Sequence, residues 1–344
     1  MGWGRFIAVV VGLAWALAAA AQDSYPFRIE WVKAGDRAML VAVNEGAATV
    51  SAVLRLTEAT NVVTSVPLPA GVVARPRSRA DVAQLARADA AAPWSFQYAY
   101  EWRFGDYTAG HDAQALYRLP YLDGRAFRMI QAPDGPFTTH LDAESRDAID
   151  FAMPEGTPVL ATRDGLVINV VSHHTLGRPD RALRDKGNFV HVQHADATAA
   201  IYLHLMPGGA AVRTGDTVKA GDIVGYSGNT GFSFGPHLHF AVLRVELADG
   251  KLRDVSVPIR FAPGKNAPGF AARTGMEIVA GASEKGELVK ARLDQPVPQP
   301  LIVRDFVPQP PQPWYVVLLQ EWRWEIAIGA ALLILLARGA VRRY

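Results

Sequence analysis

Two histidines one residue apart are the side chains in this sequence best placed to do chemistry. They are His237 and His239, in Gly235-Pro236-His237-Leu238-His239-Phe240. In an extended strand alternate side chains share a face, so both imidazoles point one way and Leu238 and Phe240 point the other. Such a pair can hold a metal together, or one ring can bind it while the other moves protons. The pair is not specific alone, and the segments upstream decide its meaning. Cysteine is absent from all 344 residues. That excludes disulfides, a cysteine nucleophile and a thiolate zinc site, so any metal must be held by His, Asp or Glu.

Four segments occur in order before and through this pair. The first is His140 followed by Ala148-Ile149-Asp150-Phe151-Ala152-Met153-Pro154-Glu155-Gly156-Thr157-Pro158-Val159. Next come Gly187-Asn188-Phe189-Val190-His191-Val192-Gln193-His194 and Tyr202-Leu203-His204-Leu205. The last runs from Gly215 to Gly231 and ends in the His-x-His run. In this order the segments strongly resemble the lysostaphin/LytM-type zinc metallopeptidases, over roughly residues 135 to 245. The resemblance implies one zinc ion per chain, held by His140, Asp150 and His239. Three protein ligands leave one tetrahedral position for water, whose pKa zinc lowers to about 7. It also implies that His204 and His237 are the unliganded, catalytic pair. One takes and returns a proton and the other stabilises the oxyanion. His237 is favoured as the base because it shares a strand face with His239, but the two roles can be exchanged.

One position departs from the family pattern. The first histidine usually stands four residues before the aspartate, where this sequence has Arg146, and a guanidinium cannot replace imidazole at zinc. The nearest upstream histidine is His140, ten residues before Asp150. Asp142 and Asp147 are fallback ligands, and His173 or His174 are further alternatives. His194 cannot share a strand face with His191 and reads as a buried structural histidine. The charged run Arg178 to Lys186 reads as a solvated face that borders a groove. The stretch Gly215 to Gly225 also resembles lipoyl- and biotinyl-type carrier domains. Those need a lysine at an exposed hairpin tip, whereas Lys219 reads as part of a strand.

These residues must be positioned by strands, and the composition agrees. Glycine-marked turns recur from about 125 to 262, the span expected to form an antiparallel β-roll peptidase domain with a groove over the zinc. Residues 22–124 read as an N-terminal β-sandwich-like domain, with strands in Phe27–Val32, Met39–Val43 and Val50–Leu56. Strict alternation of Phe96, Tyr98, Tyr100, Trp102 and Phe104 lines one sheet face with aromatics, as a sandwich core or as a glycan-binding platform. Asp81–Ala90 reads as a helix.

The ends carry targeting signals. Residues 1–21 read as a signal peptide: Arg5, an apolar run Phe6–Leu17, then Ala19-Ala20-Ala21. Residues 263–313 form an extension and proline-rich linker, whose last ~18 residues can reach ~55 Å at ~3.1 Å each. Residues 314–344 read as a C-terminal transmembrane helix, with Trp314, Tyr315, Trp322 and Trp324 at one end and Arg338, Arg342 and Arg343 at the other. The expected location is therefore the periplasm or cell envelope, anchored in the cytoplasmic membrane. Charges are balanced, with 35 Lys and Arg against 33 Asp and Glu, so nucleic acid is not an expected partner. Together these features and the resemblance imply a mainly β, membrane-tethered zinc metalloendopeptidase acting on peptidoglycan peptides. The alternative within the same family is a catalytically silent regulator that binds cell wall or activates amidases.

Overall fold

A computed structural model describes residues 25–281, except 35, 134, 136 and 137. The expected signal peptide, membrane helix and proline-rich linker lie outside the described residues. Among the described residues no helix is long and apolar enough to cross a membrane.

The architecture is mainly β, as the turn and alternation patterns require. Near the N-terminus two small antiparallel sheets face each other across one core. One sheet joins Phe27–Ala34, Arg37–Asn44, Ser78–Arg87 and Val62–Thr64, and the other joins Ala70–Ala74, Val50–Thr60 and Ser95–Phe104. Leu40, Val50, Leu54 and Leu85 are fully buried between them. The aromatic row lines this core rather than standing free: Phe96, Tyr98, Tyr100, Trp102 and Phe104 all pack against it. The segment Asp81–Ala90 is not a helix. Residues 78–87 are a strand paired with Arg37–Asn44. The run Ala83-Gln84-Leu85-Ala86-Arg87 consists of good helix formers, but propensity is a weak prior, and a neighbouring strand that buries Leu85 overrides it.

The second sheet system holds eleven strands, with a central order Gly165–Val171, Asn188–Gln193, Ala199–Ala210, Leu238–Ala248, Ile149–Phe151 and Ala126–Gln131. Its core contains Phe151, Tyr202, Leu238 and Phe240. Chain from outside the four motif segments closes it. Leu116–Arg118 pairs in parallel with Arg260–Ala262, and Glu277–Val279 pairs with Ala126–Gln131. Tyr117, Tyr121, Met129 and Phe261 are thereby fully buried.

The two sheet systems meet through side-chain hydrogen bonds and small apolar clusters. The Gln193 amide accepts from Thr49 N at 2.9 Å and donates to Thr49 O at 3.1 Å, as a neighbouring strand would. Glu101 accepts from Leu252 N at 2.8 Å, and Val53 packs against Val245 and Leu252.

Candidate metal centre

Asp150 is the hub. It sits in the short strand Ile149–Phe151, directly opposite His239 in the antiparallel ladder. Opposed residues on one sheet face hold their Cβ atoms about 5 Å apart. Here the pair is close enough for His239 Nδ1 to lie 2.9 Å from Asp150 Oδ1. His140 reaches the same carboxylate from an irregular segment, with Nε2 3.2 Å from Oδ2. The rings of His140 and His239 stand edge to face, 4.9 Å apart. His140, Asp150 and His239 thus each offer one ligand atom, and those atoms all lie within 4.8 Å of one another.

This donor set fits zinc. Ligand atoms at 2.0–2.1 Å from a tetrahedral ion are about 3.3 Å apart, and the His140 and His239 nitrogens lie 3.2 and 2.9 Å from the two Asp150 oxygens, one oxygen each. Two imidazoles and one carboxylate are also ordinary zinc ligands, and three leave a position open. Burial alone would raise the Asp150 carboxyl. The charge of His239, hydrogen bonds from His140 and His239, and the charge of His237 outweigh it and hold the group below the usual carboxylate range. Burial lowers His239 despite Asp150 beside it.

His237 and His204 complete the cluster. His237 lies one residue before the strand Leu238–Ala248 and, as alternation requires, on the same side as His239: its Nε2 is 3.8 Å from Asp150 Oδ2. His204 lies 4.6 Å from His237 and 5.9 Å from His239, between ring centroids. Both rings are oriented from behind. His237 Nδ1 is 2.8 Å from Gly235 O and 3.2 Å from Ser233 Oγ, and His204 Nδ1 is 2.6 Å from Thr230 O. A carbonyl only accepts, so each Nδ1 carries a proton, and a ring with that single proton presents a bare Nε2. Burial, then the charges of His237 and His239, push His204 down to about 3.

The way His204 enters the site is not a simple strand alternation. Tyr202 faces the core opposite Phe240, while Leu203 stands opposite His239. Regular alternation would therefore send His204 to the core with Tyr202. Instead the pairing with Asn188–Gln193 skips from Leu203 to Leu205, leaving His204 unpaired at a register shift, with φ +66°. A bulge of this kind re-aims one side chain, and a left-handed non-glycine residue stores strain.

The other expected ligands are elsewhere. Asp142 pairs with Arg184, and Asp147 lies 3.3 Å from Ser256 Oγ. His173 and His174 stack on each other at 4.2 Å. His194 is buried, with Nδ1 2.8 Å from Asp164 O. Lys219 is not within a strand: it follows Thr217–Val218 and its ammonium pairs with Asp164 at 2.8 Å. Sequence reasoning missed a close backbone approach beside Thr230 and two exposed apolar side chains. Gly177 and Gly231 pair in parallel, and a Cβ on Gly177 would fall 1.3 Å from Asn229 O. Large apolar side chains are exposed on segments that carry the site, with Leu141 next to His140 and Phe234 three residues before His237.

The family model described as Peptidase family M23 matches residues 144–252, a range that starts four residues after His140. Over 94 residues, 27% of this chain, the sequence is 42% identical to an uncharacterized metalloprotease of Buchnera aphidicola subsp. Baizongia pistaciae, covering 22% of that protein. It is 39% identical over 94 residues, again 27% of this chain, to the peptidoglycan DD-endopeptidase ShyA of Vibrio cholerae, covering 19% of it. The chain thus spans about a fifth of the length of these curated relatives. Among solved structures, the catalytic domain of the prophage-encoded M23 protein EnpA from Enterococcus faecalis is similar. It is 32% identical over 37% of this chain and 86% of that one, with a TM-score of 0.28.

Proposed function

We propose that this chain, which belongs to peptidase family M23 through residues 144–252, is a zinc metalloendopeptidase of the cell envelope that hydrolyses peptide bonds in peptidoglycan. One observation carries the reading: His140, Asp150 and His239 converge as a ligand set, and two further histidines with bare Nε2 atoms face the same space. A silent regulator has no need of that second pair.

His140 Nε2, an Asp150 oxygen and His239 Nδ1 would hold the ion. Zinc, when bound, supplies a Lewis acid that lowers the pKa of water at its open position to about 7. His237 Nε2 takes a proton from the attacking water and returns it to the leaving amine. The Gly235 carbonyl and Ser233 hydroxyl hold that ring in the tautomer the transfer needs. His204, its Nδ1–H held by Thr230 O, presents an acceptor Nε2 and becomes a donor to the oxyanion only after taking a proton there. The exposed Leu141 and Phe234 offer apolar surface for substrate peptide side chains.

Peptidoglycan as substrate is supported by the likeness to ShyA, and envelope location and tethering by the apolar segments at 1–21 and 314–344. The test is zinc content of the purified full chain together with digestion of isolated peptidoglycan. One zinc per chain and new muropeptide termini are expected. A metal-free, inert protein would favour the regulator.

A further inference from the structure

Gln131 touches two of the three ligand-bearing segments at once. It lies in the strand Ala126–Gln131, directly opposite Asp150, so that Gln131, Asp150 and His239 form one row across three strands. Its Nε2 donates to Asp150 Oδ2 at 2.8 Å. Its Oε1 accepts from Thr139 N at 2.7 Å, and the Thr139 hydroxyl lies 3.1 Å from Nε2 and 3.2 Å from Oε1. The amide can face only one way. A carboxylate accepts and a backbone N–H donates, so the flipped group would lose both bonds.

Thr139 immediately precedes His140, which stands outside any strand. Among the described residues, no other hydrogen bond ties the backbone of 138–141 to the sheet; His140 N bonds only locally, to Thr138 Oγ1 at 3.1 Å. With a histidine four residues before Asp150, one short segment would place both ligands. Here the first ligand comes from farther away, and its position must be set by something else. We infer that Gln131 is a positioning residue of the metal centre, clamping the His140 segment to Asp150 through the two ends of one amide. This inference rests on the metalloenzyme reading above. Being neutral, the amide orients the carboxylate without neutralising it. Removing such an outer hydrogen-bond partner typically costs 10–100-fold in metal affinity.

The test uses the full chain stripped of metal, with zinc affinity measured by competition against a chromophoric chelator and unfolding measured without metal. Gln131→Met keeps the length and removes both bonds. Gln131→Asn keeps the amide but is one carbon too short to bridge. Both variants should bind one zinc about 10–100-fold more weakly, a loss larger than any fall in their metal-free stability. Unchanged zinc affinity in either folded variant overturns the clamp alone. Weaker affinity matched by an equal loss of metal-free stability also overturns it, because a purely structural role would do that. An unaltered chain that binds no zinc overturns the metalloenzyme reading and the clamp together.

Discussion

Replacing His204 with Gly should leave the metal-free protein more stable than replacing it with Ala. At an ordinary strand position the order is the reverse, with Gly worse than Ala by roughly 0.5–1 kcal/mol because its unfolded state is freer. His204, however, has φ +66° at the bulge. A left-handed conformation costs a residue bearing a Cβ about 1–2 kcal/mol and costs Gly almost nothing. Both substitutions delete the same buried ring, so that loss cancels in the comparison. What remains favours Gly by about 0.5–1 kcal/mol. With a urea m-value of about 3 kcal/mol/M, the unfolding midpoint of H204G should lie roughly 0.2–0.3 M above that of H204A, at equal m. The measurement is equilibrium urea unfolding in chelator. If H204A proves as stable as H204G or more so, His204 is not held in the left-handed region and the bulge argument fails.

Three further outcomes are expected. His140→Ala, Asp150→Ala and His239→Ala should each lose zinc, while His237→Ala keeps it and slows turnover by about 10²-fold or more; zinc stoichiometry beside peptidoglycan digestion decides, and metal loss in H237A but not H239A would reverse the assignment. His194 is held down to about 4, mainly by burial. Its folded pKa lies below the unfolded value of about 6.5, so its contribution is fully present above pH 6.5 and is lost between 6.5 and 4, about 3 kcal/mol in all. The stability of His194→Gln should fall less steeply over that window, and an unchanged slope would refute the burial argument. Gly177→Ala should destabilise by at least about 2 kcal/mol, because its Cβ would overlap the Asn229 carbonyl; thermal unfolding of G177A at or above that of the unaltered chain would rule out this close approach.

The parts of the site that follow period-two alternation were legible in the sequence. Leu238 and Phe240 face the core while His237 and His239 face the metal space, as their spacing requires. His204 was legible only through its resemblance to a known motif, because alternation places it on the wrong face and a bulge is invisible to residue type. The strand Ser78–Arg87 was misread because alanines and glutamine carry helix propensity, while the partner strand that recruits them is remote in sequence. Gln193 to Thr49 and Gln131 to Thr139 were hidden for a related reason. Each is a single amide, Gln193 imitating a strand edge against Thr49 and Gln131 bridging Thr139 N to the Asp150 carboxylate, and amides occur everywhere on protein surfaces.

The closing strands at either end of the eleven-stranded sheet limit how the metal centre could be transplanted. A range matched by a family model invites treatment as a cassette, to be cut out and fused elsewhere. Cutting at 144 and 252 would remove His140 and Gln131 and would strip Tyr117, Tyr121 and Phe261 from the core they fill. Losing a buried aromatic costs about 3–5 kcal/mol, so three would consume most or all of the 5–15 kcal/mol that holds a typical domain together. For grafting or domain shuffling, the smallest portable piece runs from before Leu116 to beyond Val279.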